Sequence, residues 1–112
     1  MTDRDPILMA GIPELIVMSL LAAREMYGYE LARSIKLLTE SALSLGEGVL
    51  YPALHTMEMR GLLRSRCTRM DGRTRIYYRL TPRGRRRLGR LKANWRRMSR
   101  GVESILGAPI HV

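Results

Sequence analysis

The spacing of apolar positions divides this chain into four helical stretches and one hairpin. After Pro13, a residue suited to a helix's first turn, the run ELIVMSLLAARE is apolar almost all round and predicts a buried helix. Tyr27-Gly28-Tyr29 breaks that pattern, and a second helix resumes through Leu31, Ile35 and Leu38 at i, i+4, i+7. A polar connection from Thr39 to Leu45 leads to a third helix, with Leu50, Leu54 and Met57 on its apolar side and Gly61 where a left-handed cap belongs. Its other side carries Glu47, Gly48, Tyr51, His55 and Glu58. Pro52 removes a backbone donor and crowds the carbonyl of Gly48, so the helix is expected to open tightly or bend there, with Glu47 to Tyr51 protruding.

Two alternating runs then flank Asp71-Gly72, a dipeptide that accepts the positive φ angles of a tight turn. Pairing Met70 with Arg73 places Cys67 opposite Ile76 and Ser65 opposite Tyr78 on one face, the expected packed face, where Cys67 serves as a small apolar filler. The other face sets Arg66 opposite Tyr77 and Arg64 opposite Arg79, too basic to bury. Thr81-Pro82 starts a last helix, along which Leu88, Leu91, Trp95, Met98, Val102 and Ile105 keep a three-four spacing. Nothing else in the chain is long enough to cover that seam, so a second copy is expected to. Gly107 and Pro109 end the helix. The pattern is that of a mainly α protein with a small β-hairpin: a winged helix-turn-helix over residues 1–81, a dimerisation helix over 82–107 and a flexible tail over 108–112. Ile7, Leu8 and Met9 are apolar without a repeat; packing on this chain and on a partner are both open.

Charge changes the picture once it is located. Sixteen of the 20 Lys and Arg fall between Arg60 and Arg100, with Asp71 the sole acid among them. Such segregation suits a polyanion, nucleic acid first and an anionic membrane surface second. The five arginines around the hairpin, Arg64, Arg66, Arg73, Arg75 and Arg79, read as phosphate contacts, and Gly72 supplies both the turn geometry and a tip small enough for a narrow groove. A single cysteine excludes an internal disulfide and, with only two histidines, leaves no metal site; it also suits a reducing cytoplasm. The longest apolar run, Leu15 to Ala23, is too short to span a bilayer, and the acidic start is unlike a signal peptide. No cofactor motif, glycine-rich phosphate loop or catalytic constellation is present, which argues against an enzyme.

Several segments match one known family in order and spacing: Tyr27-Gly28-Tyr29-Glu30-Leu31, Gly48-Val49-Leu50-Tyr51-Pro52-Ala53-Leu54, Glu58, Gly61-Leu62-Leu63, Arg75, Tyr77-Tyr78, Leu80-Thr81 and Gly84. From Leu15 to Trp95 the chain resembles the PadR-type transcriptional regulators of bacteria, in particular their short branch with one helix after the wing. The resemblance implies a homodimeric repressor on a pseudo-palindromic operator, with the helix bearing Leu50-Tyr51-Pro52 in the major groove and the wing at the adjacent minor groove. Val49 departs from the pattern: many relatives carry a threonine there, whose hydroxyl could bond a phosphate. Members of the family often respond to small phenolic or other aromatic compounds, some of them bound between the two C-terminal helices, which makes Trp95 a candidate stacking platform; on spacing alone it is dimer core. Glu47, Gly48, Tyr51, Pro52 and His55 are thus the expected reading residues, although on position alone His55 fits a solvated helix residue equally well, and Tyr29 and Glu30 are the residues that orient the second helix. The alternative is a basic RNA-binding or ribosome-associated module on the same fold. The aromatic residues sit at positions that look packed, which favours duplex DNA over unstacked bases.

Overall fold

A computed structural model describes residues 11–109. Helix α1 (Ile12–Ala23) opens with Pro13 in its first turn and buries Val17, Met18 and Leu21. Its all-round apolar surface follows from its position, because it touches the next two helices, the sheet and the last helix. Two residues the pattern leaves unassigned, Met26–Tyr27, form a short strand β1. Helix α2 (Gly28–Leu38) follows at once, and the Glu30 carboxylate accepts the Tyr27 backbone N–H at 3.2 Å, satisfying one of the orphan donors at that helix start. Glu30 therefore orients α2 as expected.

Leu38 does not join the core; it is 73% exposed. The reason lies in how α2 stops. Thr39 donates its hydroxyl to the Ile35 carbonyl and accepts the Leu43 N–H, Glu40 and Ser41 take positive φ, and the returning connection buries Leu45 while Leu38 is left outside. Helix α3 (Glu47–Met59) buries Leu50, Leu54 and Met57, the three residues its spacing singled out. It runs through Pro52 and ends as expected at Gly61, whose N–H bonds the Glu58 carbonyl while the Leu62 N–H bonds that of Met57.

Strands β2 (Leu63–Met70) and β3 (Arg73–Leu80) pair in the expected register, Met70 opposite Arg73 and Ser65 opposite Tyr78. Asp71 and Gly72 turn the chain with φ of 51° and 74°, as a two-residue hairpin requires. β1 pairs on the far side of β3, giving the sheet order β1-β3-β2. Only the foot of the hairpin meets the core, through Leu63, Leu80 and Tyr78. Cys67 and Ile76 were expected on a packed face and are exposed instead, because the hairpin extends past the helices and, among the described residues, no core side chain covers that face of its outer half.

Helix α4 (Pro82–Leu106) starts at Thr81, whose hydroxyl accepts the Gly84 N–H at 3.0 Å and lies 2.7 Å from the Gly61 carbonyl oxygen. That clamp presses the first turn of α4 onto the end of α3. A Cβ at Gly84 would stand 2.2 Å from the Leu62 carbonyl oxygen, so only glycine permits the approach. Leu88 is buried and Leu91 packs against the same core. Both were expected at an interface between chains, but α1 covers this first half of the seam. Glu14 on α1 ties the arrangement together through Arg60 of α3 at 3.3 Å and Arg87 of α4 at 3.0 Å. The short apolar segment around Leu8 and the residues after Pro109 lie outside the described residues.

Candidate nucleic-acid interface

The exposed arc of α3 is set by what its opposite side buries. With Leu50, Leu54 and Met57 turned inward, Glu47, Gly48, Tyr51, Pro52 and His55 face out. Tyr51 is only partly free. Its ring lies against the first residue of α2, so close that a Cβ at Gly28 would stand 2.7 Å from the Tyr51 hydroxyl oxygen. The tyrosine thus locks the two helices together and still shows 37% of its surface. The contact that holds it is with α2.

Across from this arc stands β3. A cleft of about 630 Å³ separates them, lined by Tyr29, Tyr51 and His55 on the helical side and by Arg73, Arg75 and Ile76 on the wing. Four of the expected contact residues, Tyr51, His55, Arg73 and Arg75, are therefore brought together. Arg64 and Arg79 are not. They pair across the strands and line a separate depression of about 560 Å³ at the foot of the hairpin, beside Glu58, Gly61 and Arg83.

Arg66 is engaged within the chain. Its guanidinium makes two-pronged contact with Glu25, 2.6 Å at the shortest, and stacks 4.9 Å from the centre of the Tyr77 ring. The hydrogen bond from Arg66 holds the Glu25 carboxyl below its ordinary range, with the nearby charges of Arg66 and Arg79 adding to the effect. Arg75 stacks 4.7 Å from the centre of the Tyr27 ring, and Tyr27 meets Tyr77 edge to face at 5.4 Å. These contacts fix the two arginines in place and depend on the Tyr27–Tyr77 pairing of β1 with β3, which the sequence pattern did not reveal. Burial pushes the Tyr78 hydroxyl up, with Glu58 and Tyr51 contributing, so it stays neutral at the root of the cleft.

Tyr29 is the residue that sequence reasoning misplaced. Expected as a structural element of α2, it is 62% exposed, stacks on Tyr27 at 6.3 Å and opens into the cleft. The signal was available: Leu31 and Ile35 define the inward face of α2, and Tyr29 does not lie on it.

Along α4, Trp95 is 45% exposed, and Met98, Val102 and Ile105 are exposed as well. They continue the seam beyond the reach of α1. Among the described residues there is no cluster of metal-binding side chains and no helix long and apolar enough to cross a membrane.

Residues 17–90 match the family described as Transcriptional regulator PadR-like family. A curated relative, Transcriptional regulator Rv3488 of Mycobacterium tuberculosis, is 36% identical over 74 residues, 66% of this chain and 66% of that one. A solved PadR family transcription regulator from Clostridium difficile is 32% identical with a TM-score of 0.75, covering 87% of this chain and 100% of its own. A PadR family transcriptional regulator from Eggerthella lenta is 31% identical with a TM-score of 0.77, covering 92% and 88%. A transcriptional regulator from Clostridium thermocellum is 25% identical with a TM-score of 0.80, covering 89% and 97%. The match takes in both sides of the cleft, from α1 through the wing and into α4, and the chain is a member of the PadR-like family of transcriptional regulators rather than an enzyme.

Proposed function

We propose that this protein is a DNA-binding repressor that acts as a homodimer on a pseudo-palindromic operator. The observation that carries the reading is the cleft in which the exposed arc of α3 faces Arg73 and Arg75 of the wing. An α-helix with a short polar arc fits a major groove, and cations on a thin hairpin beside it meet the phosphates flanking that groove. On this reading Glu47, Gly48, Tyr51, Pro52 and His55 choose the sequence. Arg73, Arg75 and the tip at Gly72 supply affinity, with Arg64 and Arg79 as outer phosphate contacts and Arg66 recruited only when Glu25 releases it. The exposed seam from Trp95 to Ile105 supports the dimer, since a row of large apolar side chains along one helix face is stable in water when a second copy covers it.

Selection of binding sites from random duplex DNA tests the reading. An inverted repeat with half-sites about one helical turn apart is the expected result. Enrichment of RNA hairpins over any duplex would replace it with the RNA-binding alternative.

Control belongs to the same proposal. Two copies joined along the seam bring two Trp95 side chains near the symmetry axis, and a planar aromatic effector between them gains stacking and apolar burial together. It releases DNA only if it prefers a dimer whose α3 helices are wrongly spaced. Titration of flat aromatic compounds against the fluorescence of the chain's one tryptophan tests this: saturable quenching that coincides with operator release supports the effector, and silence across a broad panel leaves Trp95 as dimer core.

A further inference from the structure

Helix α4 carries nine Lys and Arg, eight of them arginine, against one acid, Glu103. The wing accounts for none of these, and the seam turns away from them. In the three-four spacing that places Trp95, Met98, Val102 and Ile105 on one side, the positions flanking the distal seam are Asn94, Ser99, Gly101 and Leu106, all uncharged. The arginines fall opposite. Arg86, Arg90, Arg97 and Arg100 form a single outward stripe about 21 Å long at the rise of an α-helix.

This stripe is not an extension of the reading surface. The seam side of α4 packs on α1, the stripe lies on the opposite side of the helix, and none of its four arginines lines the cleft. Nor is it neutralised inside the chain: among the described residues Arg87 alone of the nine has an ion-pair partner. Pairs such as Arg86 with Arg90 and Arg96 with Arg100 are like charges at i, i+4, which weaken a helix. A surface selected for solubility mixes both signs and favours no cation. One selected for phosphodiesters favours arginine, whose planar fork takes two phosphate oxygens at once.

From this we infer that the outer face of α4 is a second, sequence-independent site for the backbone of duplex DNA, separate from the cleft. A duplex laid along the stripe offers on the order of ten phosphates over that length. One dimer then holds two segments of DNA, its operator at the cleft and a second segment across α4. The inference rests on the proposed function for the identity of the polyanion, and on the seam for the outward aspect of the stripe.

A sandwich assay with the full chain tests it. A short operator duplex is fixed to beads and saturated with protein, and a labelled duplex of unrelated sequence is offered in solution. The unaltered chain is expected to retain the labelled duplex in a strongly salt-dependent way. The variant Arg86→Gln, Arg90→Gln, Arg97→Gln, Arg100→Gln is expected to bind the fixed operator as before yet retain at least about tenfold less of the labelled one. Circular dichroism and sedimentation confirm that this variant is folded and dimeric. Retention unchanged in the variant, no retention by the unaltered chain, or preference of the stripe for RNA or an acidic polypeptide overturns the inference. Failure of the cleft assignment shows separately, as Tyr51→Ala with Arg73→Gln leaving operator choice intact.

Discussion

In the first half of α4, Leu88 is 5% exposed and Leu91 packs against the core; in the second, Trp95, Met98, Val102 and Ile105 keep the same spacing and lie between 45% and 67% exposed. One period thus runs through two environments. The first is supplied by α1 of the same chain, drawn in by the Thr81 clamp and the bridge from Glu14 to Arg87, and the second is supplied by nothing within the described residues. A heptad says which face of a helix is apolar and is silent on what covers it. The wing shows the same division: Arg66 is satisfied by Glu25, whereas Arg73 has no ion-pair partner among the described residues.

If the first half of α4 is core, truncating it should unfold the protein. Leu88→Ala is expected to cost about 2–5 kcal/mol, the range for a leucine removed from a packed interior. Because the whole stability of a small domain is about 5–15 kcal/mol, the thermal midpoint should fall by roughly ten degrees or more, or the transition vanish. An unchanged midpoint by circular dichroism would show that α1 does not cover this half. Gly84→Ala tests the same junction from the backbone side. The added Cβ meets a carbonyl oxygen that cannot swing away, so α4 must shift off Leu62 at a cost of about 1–3 kcal/mol, the usual range for overpacking.

The second half should behave in the opposite way. Met98→Glu introduces a charge at a side chain that is 57% exposed, so the monomer's fold should change by no more than about 0.5 kcal/mol. The dimer, however, would have to bury that charge, and sedimentation is expected to show monomer. The unaltered chain should melt at a temperature that rises with protein concentration, and the variant should not. A concentration-dependent midpoint in Met98→Glu would place the dimer contact elsewhere.

The contrast also explains what the sequence made legible. Strong periods were read correctly: the buried helix α1, the inward face of α3, the hairpin register fixed by Asp71-Gly72, and the caps at Gly61 and Thr81 are local chemistry. Partners were not read. Leu88 and Leu91 lie on the expected face and pack against the core of their own chain, Leu38 matched a period that outran its core, and Cys67 and Ile76 alternate correctly on strands that leave the body behind. Strand β1 is two residues long and shows no alternation to detect, so the stacking of Arg66 on Tyr77 and of Arg75 on Tyr27 could not be anticipated. Of the candidate site, the residue types were evident and their grouping was not: Tyr51 and Arg73 share a cleft, while Arg64 and Arg79 belong to another.

The smallest effect concerns Arg66, and it measures how far internal pairing withholds a cation from DNA. Glu25 approaches Arg66 with both carboxylate oxygens, yet the pair lies at the surface, where such bridges contribute little to stability because water and salt compete for both ends. Glu25→Gln should therefore leave the melting temperature near neutral pH almost unchanged. It should raise affinity for every duplex by a few-fold, without altering the preferred site, since a freed guanidinium beside the cleft adds one phosphate contact per protomer and steepens the salt dependence accordingly. Acid supplies an independent check. Because pairing holds the Glu25 carboxyl below its ordinary value of 4.5, its contribution to stability is present above that value and is lost as pH falls through the lower, folded one. The unaltered chain should lose slightly more stability than Glu25→Gln in that acidic window, and the two should coincide once the carboxyl is protonated in both states. Unchanged affinity and an unchanged salt slope in Glu25→Gln would mean that Arg66 stays on the Tyr77 ring whether or not the carboxylate is there, and that the stacking alone decides which wing arginines reach the phosphates.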